Sequence, residues 1–225
     1  MIKAIAFDLD DTLLDTSGLL APRATREAFD ILIKAGLKIS HDECEKLRIE
    51  WIKEISHRDV FEKLANHHGV AETRIAAEIA TQLFYEPNLP AKLPLLEGAR
   101  ANIDYLKKRY SLFLVTAGTE DAQLRKAKAL GVDNDFKEIF VVNSLMKKRK
   151  KTAFLDIIAR NRIQPEELLC VGNSLTSEIH DAIEIKAMSC YFEFGEDRGF
   201  LAKDPLLKPN YHIKHHSELI PTCQL

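Results

Sequence analysis

The sequence is poor in several features that mark specialised protein classes. Its four cysteines are scattered through 225 residues, without the paired spacing of a zinc ribbon or a dense disulfide framework. Nine glycines and eight prolines are too few for a collagen-like or low-complexity chain. No run approaches the ~20 apolar residues of a membrane span, and the first apolar stretch is too short for a signal-peptide core. We therefore expect free thiols and a cytoplasmic protein.

An excess of charge of one sign is also missing. The chain has 32 lysines and arginines against 34 aspartates and glutamates, a net charge of -2. This balance gives no electrostatic drive toward nucleic acid or an anionic membrane, so neither is an expected partner. The hydrophobic share of 46% is ordinary for a globular protein. A chain of this length can bury roughly 70% of its unfolded surface, which is enough for a stable core.

Short apolar segments alternate with helical patterns through much of the chain. These segments are residues 2–7, 112–115, 139–142, 168–171 and 189–194. Their alternation with helices predicts an α/β fold, with a parallel sheet covered on both faces. Residues 22–84 differ, because apolar residues recur there at helical spacing with no clear strand.

A proline-rich segment separates the two patterns. Residues 86–94 contain three prolines, which is typical of a linker or hinge. We therefore predict a discontinuous α/β core domain of residues 1–15 and 93–225. An all-helical domain of residues 16–92 is inserted into it.

Two carboxylates follow the first predicted strand directly. Asp8 and Asp10 are one residue apart, so their side chains can leave the strand end on the same side. In an open parallel sheet, ligands bind at the carboxyl ends of the strands. Adjacent carboxylates repel and favour a cation such as Mg²⁺, which binds carboxylates, waters and phosphate oxygens. One carboxylate can attack phosphorus while the other transfers a proton.

Polar and basic residues follow later strands. The hydroxyl of Thr116 precedes the small residues Ala117 and Gly118, whose backbone N–H groups can face an anion. A basic cluster at residues 147–151 can supply a lysine where negative charge builds up in a transition state. We expect the other members of this cluster to form a solvated surface run.

These segments, taken in order, resemble the motifs of one family. Residues 7–15 (FDLDDTLLD) resemble the first motif of the haloacid dehalogenase-like hydrolase superfamily. Residues 114–118 (LVTAG) look like its second motif, and residues 165–174 like the approach to its fourth. The helical insertion is similar to the family's C1 cap, and residues 211–219 resemble its last strand and helix. The resemblance covers nearly the whole chain.

The resemblance implies a Rossmann-like core with an inserted C1 cap and a Mg²⁺-dependent phosphatase activity. The substrate would be a phosphomonoester of a small metabolite, hydrolysed through an aspartyl-phosphate. Asp8 would be the nucleophile, Asp10 the general acid and base, and Thr116 would bind the phosphoryl group, with Ala117 and Gly118 beside it. The metal would be held by Asp8, the backbone carbonyl of Asp10, Asn173 and Glu178.

The lysine of the third motif is ambiguous. Counting back from Phe154 without a gap places it at Lys148, which we favour. An alignment with one gap places it at Lys151, just before the predicted helix. The proline that usually follows this lysine is missing.

The fourth motif departs from the family pattern, and this keeps other functions open. It begins Gly172–Asn173 instead of Gly-Asp, and the later acid is Glu178 instead of Asp. Asparagine offers an oxygen without a charge, so the metal affinity should fall. The alternatives are a catalytically weakened binding or regulatory module, a phosphomutase, a phosphonatase or a dehalogenase. The dehalogenase branch lacks a carboxylate at the place of Asp10. A monomer and a homodimer both remain open.

Overall fold

A computed structural model describes residues 1–143, 146, 148–196 and 208–225. The strands are β1 (Ala4–Phe7), β2 (Ser111–Ala117), β3 (Glu138–Val142), β4 (Leu168–Gly172), β5 (Met188–Phe192) and β6 (Tyr211–Ile213). The α-helices are α1 (Thr16–Leu19), α2 (Ala21–Lys34), α3 (His41–Trp51), α4 (His57–His68), α5 (Ala71–Tyr85), α6 (Ala99–Leu106), α7 (Glu120–Ala129), α8 (Lys151–Asn161), α9 (Glu178–Glu184) and α10 (Leu219–Cys223).

The strands of the described residues form one parallel sheet in the order β3-β2-β1-β4-β5-β6. β1 is central, with Phe7 opposite Leu114 of β2 and Val171 of β4. All four residues of β1 are buried, as expected for a strand covered on both faces. The predicted parallel α/β fold is thereby confirmed. The strand order reverses between β1 and β4, and ligands bind at such a point in open sheets of this kind.

Side chains alternate between the two faces of the sheet. Ala6 and Phe113 pack on one face with Phe154 and Ile157 of α8. Phe7 points to the opposite face and is fully buried there. The burial of both faces places the polar ends of the strands at the edge of the core.

The chain divides into two compact units. The sheet unit comprises residues 1–16 and the described residues from 89 onward, and the helical unit comprises residues 17–88. The predicted boundaries lay after residues 15 and 92, whereas the units change after residues 16 and 88.

The helical unit has an apolar core of its own. Phe29, Phe61 and Leu64 lie in a single buried cluster contributed by its helices. Ser40 and Ser56 each begin a helix, α3 and α4, with a capping box in which the hydroxyl accepts a backbone N–H three residues later. Local capping and a separate core together explain why this insertion forms a distinct unit.

Two expectations drawn from what the sequence lacks can be compared with the structure. None of the helices in the described residues is both long enough and apolar enough to cross a membrane. All four cysteines are buried free thiols.

Candidate active site

Asp8 and Asp10 lie just beyond β1, next to the reversal of strand order. The N–H of Asp8 donates to the carbonyl of Val171 at 2.9 Å, which continues the pairing of β1 with β4 by one residue. The chain then turns tightly, because the N–H of Leu13 donates to the carbonyl of Leu9 at 2.9 Å. This turn keeps both carboxylates at the carboxyl edge of the sheet.

His216 supports the turn from the C-terminal part of the chain. This histidine is buried, and its Nε2 lies 2.7 Å from the carbonyl oxygen of Thr12. Burial lowers the pKa of His216, although the hydrogen bond to Thr12 opposes this. The neutral ring therefore donates from Nε2 to the loop that carries Asp10.

Asp8 belongs to a buried cluster of three charges. The ammonium of Lys150 lies 2.7 Å from Oδ1 of Asp8 and 2.9 Å from Oε2 of Glu178. The side chains of Asp8, Lys150 and Glu178 are only 8%, 4% and 2% exposed. Oδ2 of Asp8 has no hydrogen-bond donor in the part of the chain that the structure describes. One lysine thus faces two carboxylates, and one oxygen of Asp8 remains open.

The pKa values of this cluster reflect the shared lysine. Burial raises the pKa of Asp8 to about 7, because Lys150 offsets only part of the desolvation and Glu178 adds repulsion. Burial alone would lower the pKa of Lys150, but the two carboxylates raise it above its ordinary value. Further positive charge beside Asp8 would favour its ionised form.

Glu178, a metal ligand in the pattern that the resemblance implies, contacts both Lys150 and the loop after β4. Its Oε1 accepts the backbone N–H of Ser174 at 2.6 Å, and its Oε2 contacts Lys150. A Cβ on Gly172 would lie 2.4 Å from Oε1, so the close approach of Glu178 to the strand end requires glycine there. Each carboxylate oxygen of Glu178 thus has one of these partners, and through Oε2 the side chain holds Lys150 beside Asp8.

The lysine beside Asp8 is Lys150, and neither position favoured from the sequence reaches it. Lys148 is exposed, and the ammonium of Lys151 contacts Glu184. The physical reason is helix periodicity: the N–H of Phe154 donates to the carbonyl of Lys150 at 3.0 Å. Lys150 therefore shares a face with the buried Phe154, whereas the two other lysines point elsewhere. Lys147 lies outside the described residues.

Asp181 fixes the start of α8, which carries Lys150 to the site. Its Oδ2 accepts the backbone N–H of Lys151 at 2.8 Å, and its Oδ1 accepts Nε of Arg149 at 2.8 Å. His180, Asp181 and Glu184 also bring potential metal ligands together. All three contact the guanidinium of Arg149, so the group forms an ion-pair cluster.

Asp10 has a different environment from Asp8. Its Oδ1 accepts from Nζ of Lys126 at 2.7 Å and from the hydroxyl of Thr16 at 2.5 Å. Its Oδ2 accepts from Nε2 of Gln123 at 3.2 Å. Burial opposes ionisation, but Lys126 together with the hydrogen bonds from Thr16 and Gln123 holds the pKa of Asp10 below its ordinary value. The two aspartates are thus held by separate lysines.

The segment after β2 is arranged around Gln123. Thr116 is fully buried, and its hydroxyl donates to Oε1 of Gln123 at 3.2 Å. The carbonyl of Ala117 accepts from Nε2 of Gln123 at 3.1 Å. The N–H of Gly118 donates to the carbonyl of Val142 at 3.0 Å. The pairing of β2 with β3 therefore uses the Gly118 N–H that we expected to face an anion.

Asn173 lies directly after β4, beside the first loop. Its amide Nδ2 donates to the carbonyl of Phe194 at 3.2 Å, which leaves Oδ1 for another partner. Oδ2 of Asp8, the carbonyl of Asp10 and Oδ1 of Asn173 make up a set of oxygen atoms that follow the adjacent strands β1 and β4. Such a set suits a hard divalent cation such as Mg²⁺.

A known family and individual proteins match this chain over most of its length. The model of the haloacid dehalogenase-like hydrolase family matches residues 2–179. A glyceraldehyde 3-phosphate phosphatase of Pyrococcus furiosus is 29% identical over 203 residues, covering 87% of this chain and 82% of that protein. An N-acylneuraminate-9-phosphatase of Mus musculus is 25% identical over 236 residues, covering 97% and 92%.

A solved structure shows the same fold over nearly the full length. The putative hydrolase YfnB of Bacillus subtilis has a TM-score of 0.69 and 21% identity, covering 98% of this chain and 97% of that one. That structure is described as bound to magnesium and as revealing interdomain movement.

Proposed function

Because this chain belongs to the haloacid dehalogenase-like hydrolase family, we propose that it is a phosphatase acting on the phosphomonoester of a small metabolite. The observation that carries the proposal is the buried Asp8, whose Oδ1 is held by Lys150 and whose Oδ2 accepts no hydrogen bond from the described residues. The names of the curated relatives, which act on glyceraldehyde 3-phosphate and N-acylneuraminate 9-phosphate, support a phosphorylated metabolite as the substrate.

In the proposed reaction, Oδ2 of Asp8 attacks phosphorus while the bond from phosphorus to the ester oxygen breaks. Asp10 gives a proton to the departing alcohol, in a complex where the negative phosphoryl group beside it would favour its protonated form. Water then attacks the aspartyl-phosphate, Asp10 takes a proton from that water, and Asp8 leaves as a carboxylate. Lys150 holds the nucleophile in place and supplies positive charge near the transferring phosphoryl group. Thr116 would orient the phosphoryl group once its hydroxyl turns from Gln123.

We further propose that Mg²⁺ is the resident metal. Asp8, the carbonyl of Asp10 and Asn173 would hold the ion. Glu178 would act indirectly, because it holds Lys150 beside Asp8. Bound there, the ion would neutralise phosphate charge and favour the ionised form of the nucleophile. The all-oxygen chemistry of these three groups supports the proposal.

Replacing Asn173 by Asp is expected to tighten the binding of Mg²⁺ about tenfold or more, because it adds a charge to a neutral ligand. Titration calorimetry of the substrate-free protein with MgCl₂ measures this directly. The matched control is Asn134→Asp, which makes the same change at an exposed position of the sheet unit. Equal affinities in the wild-type, Asn173→Asp and control proteins would remove Asn173 from the proposed ligands.

The helical unit, residues 17–88, is proposed to act as a cap domain, and the protein is proposed to be cytoplasmic. The chain enters this unit one residue after Thr16, whose hydroxyl contacts Asp10. The movement described for the YfnB structure supports a mobile cap. Opening would admit substrate, and closure would exclude water.

The presence of Asp10 favours phosphate ester hydrolysis over dehalogenation. A departing halide needs no proton, whereas a departing alkoxide does. A proton-transfer group held by Lys126, Thr16 and Gln123 therefore suits an alcohol leaving group.

The direct test is a panel of alkyl, sugar and aryl monophosphates together with acetyl phosphate. Phosphate release would be measured with MgCl₂ and, in parallel, with EDTA. We expect metal-dependent turnover of at least one alkyl or sugar phosphate. Absence of turnover across the whole panel, acetyl phosphate included, would contradict the proposed activity and leave the binding-module alternative.

A further inference from the structure

Helix α7 places two polar residues on its buried face. Gln123 and Lys126 are only 3% and 6% exposed, beside the buried Ala122 and Ala127. A buried amide or ammonium group costs free energy unless it is hydrogen-bonded or paired. Their partners explain why polar residues occupy these positions.

Both side chains contact the carboxylate of Asp10, but at different oxygens and at different distances. Oδ1 of Asp10 receives two donors, Nζ of Lys126 at 2.7 Å and the hydroxyl of Thr16 at 2.5 Å. Among the residues that the structure describes, Oδ2 receives only Nε2 of Gln123, at the longer distance of 3.2 Å. A carboxylate oxygen accepts about two hydrogen bonds. Oδ1 therefore has its full number of donors, whereas Oδ2 can still accept one more hydrogen bond or a proton.

Gln123 also links Asp10 to the segment after β2. Its amide accepts from Thr116 and donates to the carbonyl of Ala117, at 3.2 and 3.1 Å. A Cβ on Gly118 would lie 2.5 Å from Nε2 of this amide, so glycine leaves the room that it occupies. One side chain thus connects the hydroxyl proposed to bind phosphate with the proposed acid and base.

From this geometry we propose that Lys126 and Gln123 are positioning residues that orient Asp10 for proton transfer. Lys126 anchors Oδ1, and Oδ2 is the oxygen that exchanges the proton. In the first step the O–H bond at Oδ2 breaks, its electron pair stays on Oδ2, and the proton joins the departing ester oxygen. In the second step Oδ2 takes a proton from the attacking water. This inference rests on the phosphatase function proposed above.

Substrates with different leaving groups can show whether Lys126 and Gln123 position Asp10 for proton transfer or only stabilise the fold. An alkoxide needs a proton to depart, whereas acetate leaves acetyl phosphate without one. A positioned acid contributes about 10²-fold or more to the first kind of reaction and little to the second. Loss of positioning therefore affects the two substrates unequally.

The test replaces Lys126 by Met, which keeps most of the length and removes the charge. We expect kcat to fall about 10²-fold for the alkyl phosphate that the wild-type protein hydrolyses fastest. For acetyl phosphate we expect a fall of less than about threefold, with KM for both substrates within about threefold. Lys126→Arg should restore the alkyl phosphate rate to within about tenfold of wild type, because the cation is kept. The matched control is Lys128→Met, an exposed lysine of the same helix, which should leave both rates unchanged.

Gln123→Met is a second variant if thermal unfolding shows that Lys126→Met is not folded. It should lower kcat more for the alkyl phosphate than for acetyl phosphate, and raise KM for both through Thr116. Equal losses on the two substrates, or no loss in the folded variants, would overturn the inference. If the wild-type protein hydrolyses neither substrate, the proposed function itself fails and this inference fails with it.

Discussion

Replacing Asp8 by Asn is expected to lower kcat about 10⁴-fold or more, the largest effect of any substitution in the chain. An amide oxygen is a far weaker nucleophile than a carboxylate, so the covalent step is lost. The substitution also removes one of two buried carboxylates that share Lys150. We therefore expect an inactive protein that remains folded. Phosphate release with MgCl₂ measures the rate, and thermal unfolding measures the stability.

The matched control for Asp8 is Asp121→Asn. The side chain of Asp121 is 79% exposed on α7, so the same chemical change there should leave kcat within about twofold of wild type. Retention of more than a tenth of wild-type kcat by the Asp8→Asn protein would mean that another group performs the attack.

Replacing Lys150 by Met is expected to lower both activity and stability. The loss leaves the carboxylates of Asp8 and Glu178 buried without a cation, which costs about 3–5 kcal/mol in comparable buried pairs. Removing a positive group from the transition-state environment should lower kcat about 10²- to 10³-fold. Denaturant unfolding and metal-replete kinetics measure the two effects separately.

Two comparisons make the Lys150 prediction sharper. Lys148→Met alters an exposed lysine of the same basic segment and should change neither stability nor kcat. Adding Glu178→Gln to Lys150→Met removes one of the unpaired charges. It should recover much of the lost stability while kcat stays low. A Lys148→Met protein as impaired as Lys150→Met would show that the lysine beside Asp8 has been misassigned.

The sheet could be predicted because its strands carry strong local signals. β1 and β4 are short runs without a charged residue, and β2 is apolar from Leu112 to Val115, which is the pattern of strands buried on both faces. Asp8 and Asp10 interrupt the first run abruptly. Their position at the strand end follows from that interruption alone.

The lysine of the site was harder to predict, because a run of consecutive basic residues does not show which of them faces the core. Counting from Phe154 without knowing where α8 starts led to Lys148. The helical spacing contained the signal: Lys150 stands four residues before Phe154, which is buried in the core together with Ile157. A search for the lysine on the apolar face of the following helix would have found it.

Gln123 and Lys126 were missed for a similar reason. They resemble ordinary polar residues of a charged helix, and only the buried Ala122 and Ala127 reveal that they face inward. The contacts of Gly118 and Glu178 also could not be predicted, because they join segments that are distant in the sequence. The N–H of Gly118 donates to the carbonyl of Val142, and Glu178 forms an ion pair with Lys150. No local sequence pattern indicates either contact.

Asp8 is proposed to carry the phosphoryl group during turnover, and this covalent intermediate can be trapped. The Asp10→Asn protein would be mixed with acetyl phosphate and Mg²⁺, quenched, and reduced with borohydride. Because acetate leaves without a proton, the intermediate should form, and its breakdown should be slow without the base. We predict conversion of residue 8 to homoserine, seen by peptide mass spectrometry and absent without acetyl phosphate. Modification of a different residue, or turnover that survives in the Asp8→Asn protein, would contradict the account.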